Sequence, residues 1–393
     1  VKIYLDALSK HPTISVGMQA LIIGSMEIVS KRFKDVEFVL LSYFPEIDRA
    51  YLDKEPFKVK IVKRRSNQLK TIKDVRRIVG EVDCVVSNWG DGYISTPPHK
   101  MLQKTFFLKH RKKSLVLFPS SIGPFKGELK RLFSYFGLQK FDQIMIRDTF
   151  TFNYIKDLGL NNLHLIPDTA FILEAVDSFT VEKLMKADSI PVNTSYIGLN
   201  VSQLLNNLFK SQLRIDYPKF MAELVNYLNT NFKGHILLIP HQFIPSFFQQ
   251  EKQYYNDDRV AIREIMQVIG NKARVAPLLG EYSCRELKGI IGRCEIFIGG
   301  RMHSVIGALS MGVPSVLMQY SHKAIGVMDL LGLKEFVWSI DSLSEELFEK
   351  IHNLWQNRSK LRQQIDTEMV KVKKDALRAG EILENSTRTY TAS

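Results

Sequence analysis

Short apolar runs alternate with longer amphipathic stretches along nearly the whole chain, and this alternation constrains the fold more than any other feature. Runs at 2–8, 37–43, 58–62, 83–87, 114–119, 143–146 and 163–166 read as strands of a first half. Runs at 196–201, 235–239, 273–277, 294–298 and 315–319 read as strands of a second. The stretches between them, such as 217–232 and 284–291, carry the three-to-four-residue spacing of helices with one buried face. Strand and helix repeated in this way predict an α/β protein with helices covering parallel sheets. At 393 residues the chain is long enough for two such cores, expected over 1–178 and 195–340. Residues 174–195 read as a linker, and the charged stretch over 341–393 reads as a helical tail.

Nearly every predicted strand ends in small or polar residues: Ser87-Asn88, Ser120-Ser121, Arg147-Asp148, Asp168, Asn200, His241, Gly299-Gly300-Arg301 and Tyr320. Open parallel sheets bind ligands outside the carboxyl ends of their strands, so these positions define where a site is expected. Two sheets facing each other would bring both rows of polar residues to one cleft.

The block from Ile296 to Ser304 is the most informative of these ends. An apolar strand runs into Gly299 and Gly300, then into a helical pattern expected over 304–311 that closes at Gly312. Glycines permit close backbone approach, and the helix start at Ser304 offers unpaired N–H groups to an anion. Arg301 adds a planar, permanently charged fork suited to carboxylate or phosphate. His303 beside it can exchange a proton near neutral pH. Arg147 ends another strand, with Asp148 placed to cap the next helix or to hold the arginine. Ser120 and Ser121 offer hydroxyls for a sugar or phosphate, or serve as turn chemistry. Asp168 and His241 are the polar tips of two further strands. Gly17 and Gln19 precede the long first helix without the glycine spacing of a dinucleotide fingerprint, so NAD is not expected.

The net charge of +13 requires an anionic partner: a ligand, an acidic membrane surface or nucleic acid. Basic clusters at 63–65, 109–113 and 371–374 lack the interleaved aromatics of a single-strand binder, so nucleic acid is not expected; each reads first as a solvated basic surface and next as a peripheral contact for anionic lipid. No run of about 18 apolar residues predicts a membrane-spanning helix. The Val1-Lys2-Ile3 start shows no signal-peptide pattern, which gives a cytoplasmic expectation. Cys84, Cys284 and Cys294 have no metal-ligand spacing, and the histidines are scattered, so neither metal nor cofactor is expected. There is no P-loop, HExxH, GxSxG or CxxC, and no DxD pair to hold a metal-bound nucleotide sugar.

Taken in order, these segments resemble the polysaccharide pyruvyl transferase family. The match is strongest over 281–333, through Gly299-Gly300-Arg301-Met302-His303, Gly312-Val313-Pro314, and Tyr320 with Lys323. Earlier matches are Gly17-Met18-Gln19-Ala20, Ser121-Ile122-Gly123-Pro124-Phe125, Ile146-Arg147-Asp148 and Asp168-Thr169-Ala170-Phe171. The chain departs from the family at Met18-Gln19, where an acidic residue is common. A second departure is Ser87-Asn88-Trp89-Gly90-Asp91-Gly92, where the family has a glycine run.

The resemblance implies two Rossmann-like domains facing across a cleft, GT-B-like, with the C-terminal helix crossing back to the first domain. It implies phosphoenolpyruvate as donor and a pyruvate ketal on two sugar hydroxyls as product. The acceptor is then a nucleotide sugar, a lipid-linked oligosaccharide or a glycan terminus, held by the first domain. On this reading His303, Arg301 and Arg147 are catalytic. Substrate binding falls to Ser304, Gly300, Ser120, Ser121, Asp148, Asp168, His241, Tyr320, Lys323, Gly17, Gln19 and Asp91. The alternatives are a GT-B glycosyltransferase using a nucleotide sugar, and a non-catalytic basic module binding an acidic polymer.

Overall fold

The computed structural model describes residues 1–7, 15–65, 67–246, 256–270, 274–320 and 325–391. The chain forms two compact units. One comprises Val1–Thr13, Met18–Leu173 and Val372–Ser393; the other comprises Ile14–Gly17 and Glu174–Lys371.

The first unit is built on seven strands: β1 (Lys2–Asp6), β2 (Glu37–Ser42), β3 (Lys58–Lys63), β4 (Cys84–Ser87), β5 (Ser114–Ser120), β6 (Gln143–Ile146) and β7 (Leu163–Leu165). They lie in the order β3-β2-β1-β4-β5-β6-β7, and every pairing is parallel. Burial explains their composition. β4 and β5 are covered on both faces and read as unbroken runs, Cys-Val-Val-Ser and Ser-Leu-Val-Leu-Phe-Pro-Ser. Edge strand β3 alternates lysines with Val59, Ile61 and Val62, as a half-covered strand must.

The second unit has six strands: β8 (Tyr196–Asn200), β9 (His235–Ile239), β10 (Val275–Pro277), β11 (Cys294–Gly299), β12 (Ser315–Gln319) and β13 (Val337–Ser339). Their order is β10-β9-β8-β11-β12-β13, again wholly parallel. Each unit is thus a doubly wound sheet whose strand order reverses once, between β1 and β4 in the first and between β8 and β11 in the second.

Two sequence expectations change. The stretch read as a linker carries the helix Ser178–Ala187, capped by Asp177 and packed through Val181 beside Gly289 of the second unit. Three-residue β13 was not expected at all, because a run of Val-Trp-Ser is too short to show a period. The helical tail is a single helix of 48 residues, Ser344–Thr391. Its residues to Lys371 belong to the second unit, where Asp366 sits against Gly312. Its last residues belong to the first, where Tyr390 donates to Asp142 at 2.7 Å.

Candidate active site

In the second unit the reversal between β8 and β11 marks where a doubly wound sheet offers a ligand site. Asn200 ends β8 and organises this point. Its side-chain oxygen accepts from the N–H groups of Gly300 (3.2 Å) and Arg301 (3.0 Å), and the Ser304 hydroxyl oxygen lies 3.3 Å from it. Its amide donates to the carbonyls of Ile239 (2.9 Å) and Val201 (3.3 Å). One buried side chain therefore ties together the ends of β8, β9 and β11. Gly300 packs closely here, because an added Cβ would lie 2.4 Å from Leu205 Cδ1 and force that side chain to move. The following helix, Met302–Leu309, starts two residues earlier than expected, which makes Arg301 its N-cap and puts His303 in its first turn. Ser304 is buried, and its hydroxyl donates to the Arg301 carbonyl at 2.6 Å, so it braces the turn from within.

Arg301 meets Asp258 edge-on, through Nε (2.9 Å) and Nη2 (2.6 Å). Asp258 is the first residue of the helix Asp258–Ile269, whose cap is already supplied by Asp257. It is wholly buried and also accepts the backbone N–H groups of Gln203 (2.8 Å), His241 (2.9 Å) and Gln242 (2.8 Å). Burial works against the Arg301 charge, but Asp258 more than offsets it and holds the guanidinium above its ordinary pKa. The Nη1 group has no hydrogen-bond partner among the described residues, and the side chain is 14% exposed. Sequence reasoning missed Asp258. The available signal was a pair of adjacent carboxylates at a helix start, where only one can cap.

Ser15, Val16 and Gly17 belong to this same unit. The Val16 N–H donates to the His241 carbonyl at 3.3 Å, and Ser15 bridges Gln242. A Cβ at Gly17 would lie 2.8 Å from Cγ and Nδ1 of His303, so the bare backbone there makes room for the imidazole. The His241 ring is buried. Burial first, then the nearby His303 and Arg301, hold its pKa well below the usual value, so it is neutral at pH 7. Tyr320, half exposed just past β12, is close enough to Arg301 to act on its charge. Lys323 lies outside the described residues.

The first unit gathers a second set of expected residues around Arg147, just past β6. Its Nε donates to Ser121 (2.9 Å), Nη1 to Asp168 (2.7 Å) and Nη2 to Asp91. Ser121 passes its own proton to Asp148 at 2.7 Å, so Asp148 holds the arginine through the hydroxyl and not directly. Asp148 caps the helix Thr149–Lys156 through the Thr151 N–H, and Asp168 accepts from Ala170. Arg147 is 1% exposed; burial opposes its charge, but Asp91 and Asp168 outweigh that and raise its pKa. Among these partners Asp91 is the exposed one, at 43%. Ser120 meets Arg147 only through its carbonyl, which accepts the Arg147 backbone N–H at 3.3 Å, while its buried hydroxyl donates to the Phe118 carbonyl; Gln19 is likewise buried within the first unit.

The first unit also holds a cluster that sequence reasoning did not single out. Where its strand order reverses, Asp6 accepts from the Trp89 indole (2.7 Å) and pairs with Lys104 (2.6 Å). The Lys104 ammonium lies 3.3 Å from the Trp89 ring centroid, and burial pulls its pKa down to about 7. Asp6, Lys104, Arg64 and Lys100 line a cavity of about 140 Å³ walled by Leu41 and Phe107.

Over residues 19–322 the sequence matches the polysaccharide pyruvyl transferase family, as the motif block through His303 led us to expect. The chain belongs to that family. Membership makes it a transferase of polysaccharide biosynthesis. It is similar to the amylovoran biosynthesis protein AmsJ of Erwinia amylovora, with 22% identity over 293 residues, covering 72% of this chain and 68% of AmsJ. Among solved structures it is similar to the UDP-GlcNAc 2-epimerase from Neisseria meningitidis bound to UDP-GlcNAc. That match has a TM-score of 0.64 at 10% identity, over 99% of this chain and 100% of the other. It is also similar to Anabaena HepE in complex with UDP-glucose (0.60, 14%, 100% and 99%). A glycosyltransferase from Rickettsia africae gives 0.60 at 12% identity, over 100% and 97%. At these identities the likeness shows the fold alone, the GT-B-like class built from two Rossmann-like units. No helix among the described residues is long and apolar enough to cross a membrane.

Proposed function

We propose that this chain moves the enolpyruvyl group of phosphoenolpyruvate onto two hydroxyls of one sugar, closing a pyruvate ketal and releasing phosphate. The observation that carries the reading is the arginine at the β11 end, in a chain of this family. Asp258 occupies one edge of Arg301 and fixes its orientation, while Nη1 remains for an anion. Phosphoenolpyruvate presents a carboxylate and a phosphate, and a fixed guanidinium beside a helix start suits either.

The chemistry needs a proton on the terminal enol carbon, which leaves oxocarbenium character on its neighbour. One sugar hydroxyl adds there and gives up its proton. The second hydroxyl then displaces phosphate, which departs with the remaining proton. His303, in the first turn of the helix, is the proton carrier, a role worth about 10²–10⁴-fold. Neutral His241 beside it adds no competing positive charge. Arg301 stabilises the departing phosphate. Arg147 and its carboxylates act on the acceptor side by holding the strand ends of the first unit. The cavity at Asp6 and Lys104 receives part of the acceptor. That acceptor is a nucleotide sugar, a lipid-linked oligosaccharide or a glycan terminus. The role of AmsJ in amylovoran biosynthesis and the UDP-sugars held by two structural neighbours support a carbohydrate. We place the reaction in the cytoplasm, in the making of exopolysaccharide or another cell-surface glycan, with no metal or organic cofactor.

Calorimetric titration of the protein and of Arg301→Met tests the donor. Phosphoenolpyruvate should bind the parent and bind the variant at least about tenfold more weakly. Binding of a nucleoside diphosphate in its place would move the reading to a nucleotide-sugar glycosyltransferase.

A further inference from the structure

Beyond the sugar chemistry, the first unit carries an outward apolar face embedded in positive charge. The helix Glu128–Leu138 buries Ser134, Gly137 and Leu138. Gly137 lies against Met101 and Leu102 of the neighbouring helix Pro98–Leu108. Leu129, Leu132 and Phe136 fall at i, i+3 and i+7, on the opposite side of the helix. They are 66%, 49% and 44% exposed. Phe106, on Pro98–Leu108, is 59% exposed, and Arg76 of the helix Gln68–Glu81 lies over its ring. The helix thus carries a second apolar stripe, besides the one through Leu138 and Tyr135 that meets the core.

The segment that carries these residues is strongly basic. Residues 98–140 contain ten lysines and arginines and one acid, Glu128, and so account for most of the net +13 of the chain. Lys109 and Lys113 are committed within the fold, to Asp142 and to the Val79 and Gly80 carbonyls. Lys126, Lys130, Arg131, Lys140, Arg111 and Lys112 are exposed.

We infer that this face docks on an anionic lipid bilayer, with Leu129, Leu132, Phe136 and Phe106 entering the headgroup boundary and the surrounding cations meeting acidic lipid. Apolar residues on one helix face flanked by lysine and arginine are the pattern of an interfacial helix. A second copy of this chain is a poor occupant, because it would set one strongly basic surface against another. A hydrated polyanion would use the cations but leave the apolar stripe without a role.

Sedimentation of the full chain with phosphatidylcholine vesicles, with and without phosphatidylglycerol, tests this without any activity assay. Binding should require phosphatidylglycerol and weaken as salt is raised. The Leu129→Ser/Leu132→Ser/Phe136→Ser variant should lose about tenfold in partitioning while keeping its circular dichroism, since all three side chains are exposed. Lys126→Glu/Lys130→Glu/Arg131→Glu should lose at least as much. Val370→Ser, an equally exposed apolar site at 72%, serves as the control and should bind as the parent does. Equal partitioning of the parent and the serine triple variant would overturn the inference. So would a concentration-dependent dimer that the triple variant abolishes, which would give the stripe to a second copy.

Discussion

Arg147 and Arg301 stand at comparable places, each just past the end of a strand in a parallel sheet, yet the two units use them in opposite ways. Every donating nitrogen of Arg147 has its own partner, Ser121, Asp168 or Asp91, and the side chain is sealed in. Arg301 spends two nitrogens on one carboxylate, and its third has no hydrogen-bond partner among the described residues. Topology accounts for part of the difference. Arg301 follows β11, beside the reversal of strand order, where doubly wound sheets take ligands; Arg147 follows β6, two strands away from the reversal in its own sheet. A strand-end arginine is therefore expected to meet a ligand only beside the reversal. Elsewhere the same residue is a peg that holds loops together.

The paired variants Arg147→Met and Arg301→Met would break this contrast most directly. Arg147→Met should cost about 3–5 kcal/mol, because it leaves the buried Asp168 carboxylate without its cation. Arg301→Met should cost less, since Asp258 retains three backbone N–H donors. Denaturant midpoints of both variants provide the check. Equal losses, or an unshifted midpoint for Arg147→Met, would abolish the distinction.

A smaller effect is expected at Gly17. An alanine there brings Cβ to 2.8 Å from the His303 ring, so the ring must turn or shift. Turnover should fall about tenfold with little loss of stability, as misplacement of a reacting group predicts. Adding Gly17→Ala to His303→Ala should then do nothing more, because the group being misplaced is already gone. A further fall in the double variant would show that Gly17 acts on something other than His303.

The same comparison shows how far one sequence can be read. Strands at 143–146, 235–239 and 315–319 were legible to the residue, because polar or turn-forming neighbours bound each apolar run. Arg301 and His303 were legible because two glycines and a helix start flank them within one continuous block. Asp258 was not, since its meaning arises only when folding brings it to Arg301 from 43 positions away. Lys104 was hidden similarly: on a helix it reads as a solvated lysine, and only the tertiary fold places it on Asp6 and over Trp89. The saturation of Arg147 was likewise invisible, because Asp91 and Asp168 approach from separate loops. Local chemistry can be read from a sequence; the commitment of each hydrogen-bond donor depends on long-range contacts.

The second unit also contains a buried group that resists protonation, and a change of pH acts on it with only a mild effect. His241 is held well below the ordinary histidine value by burial and by the adjacent His303 and Arg301. In the unfolded chain the same imidazole takes up a proton as pH falls through about 6.5. Below that point the unfolded state binds a proton that the folded state refuses, so stability declines as the solution is acidified. The slope from this one residue is at most about 1.4 kcal/mol per pH unit. His241→Gln removes the titration and keeps the backbone, whose N–H still meets Asp258 and whose carbonyl still accepts from Val16. Unfolding free energies of parent and variant should therefore converge or cross in favour of the variant as pH drops from about 7.5 to 5. Parallel curves would mean that the ring protonates in the folded protein, and that its surroundings solvate a second positive charge beside Arg301.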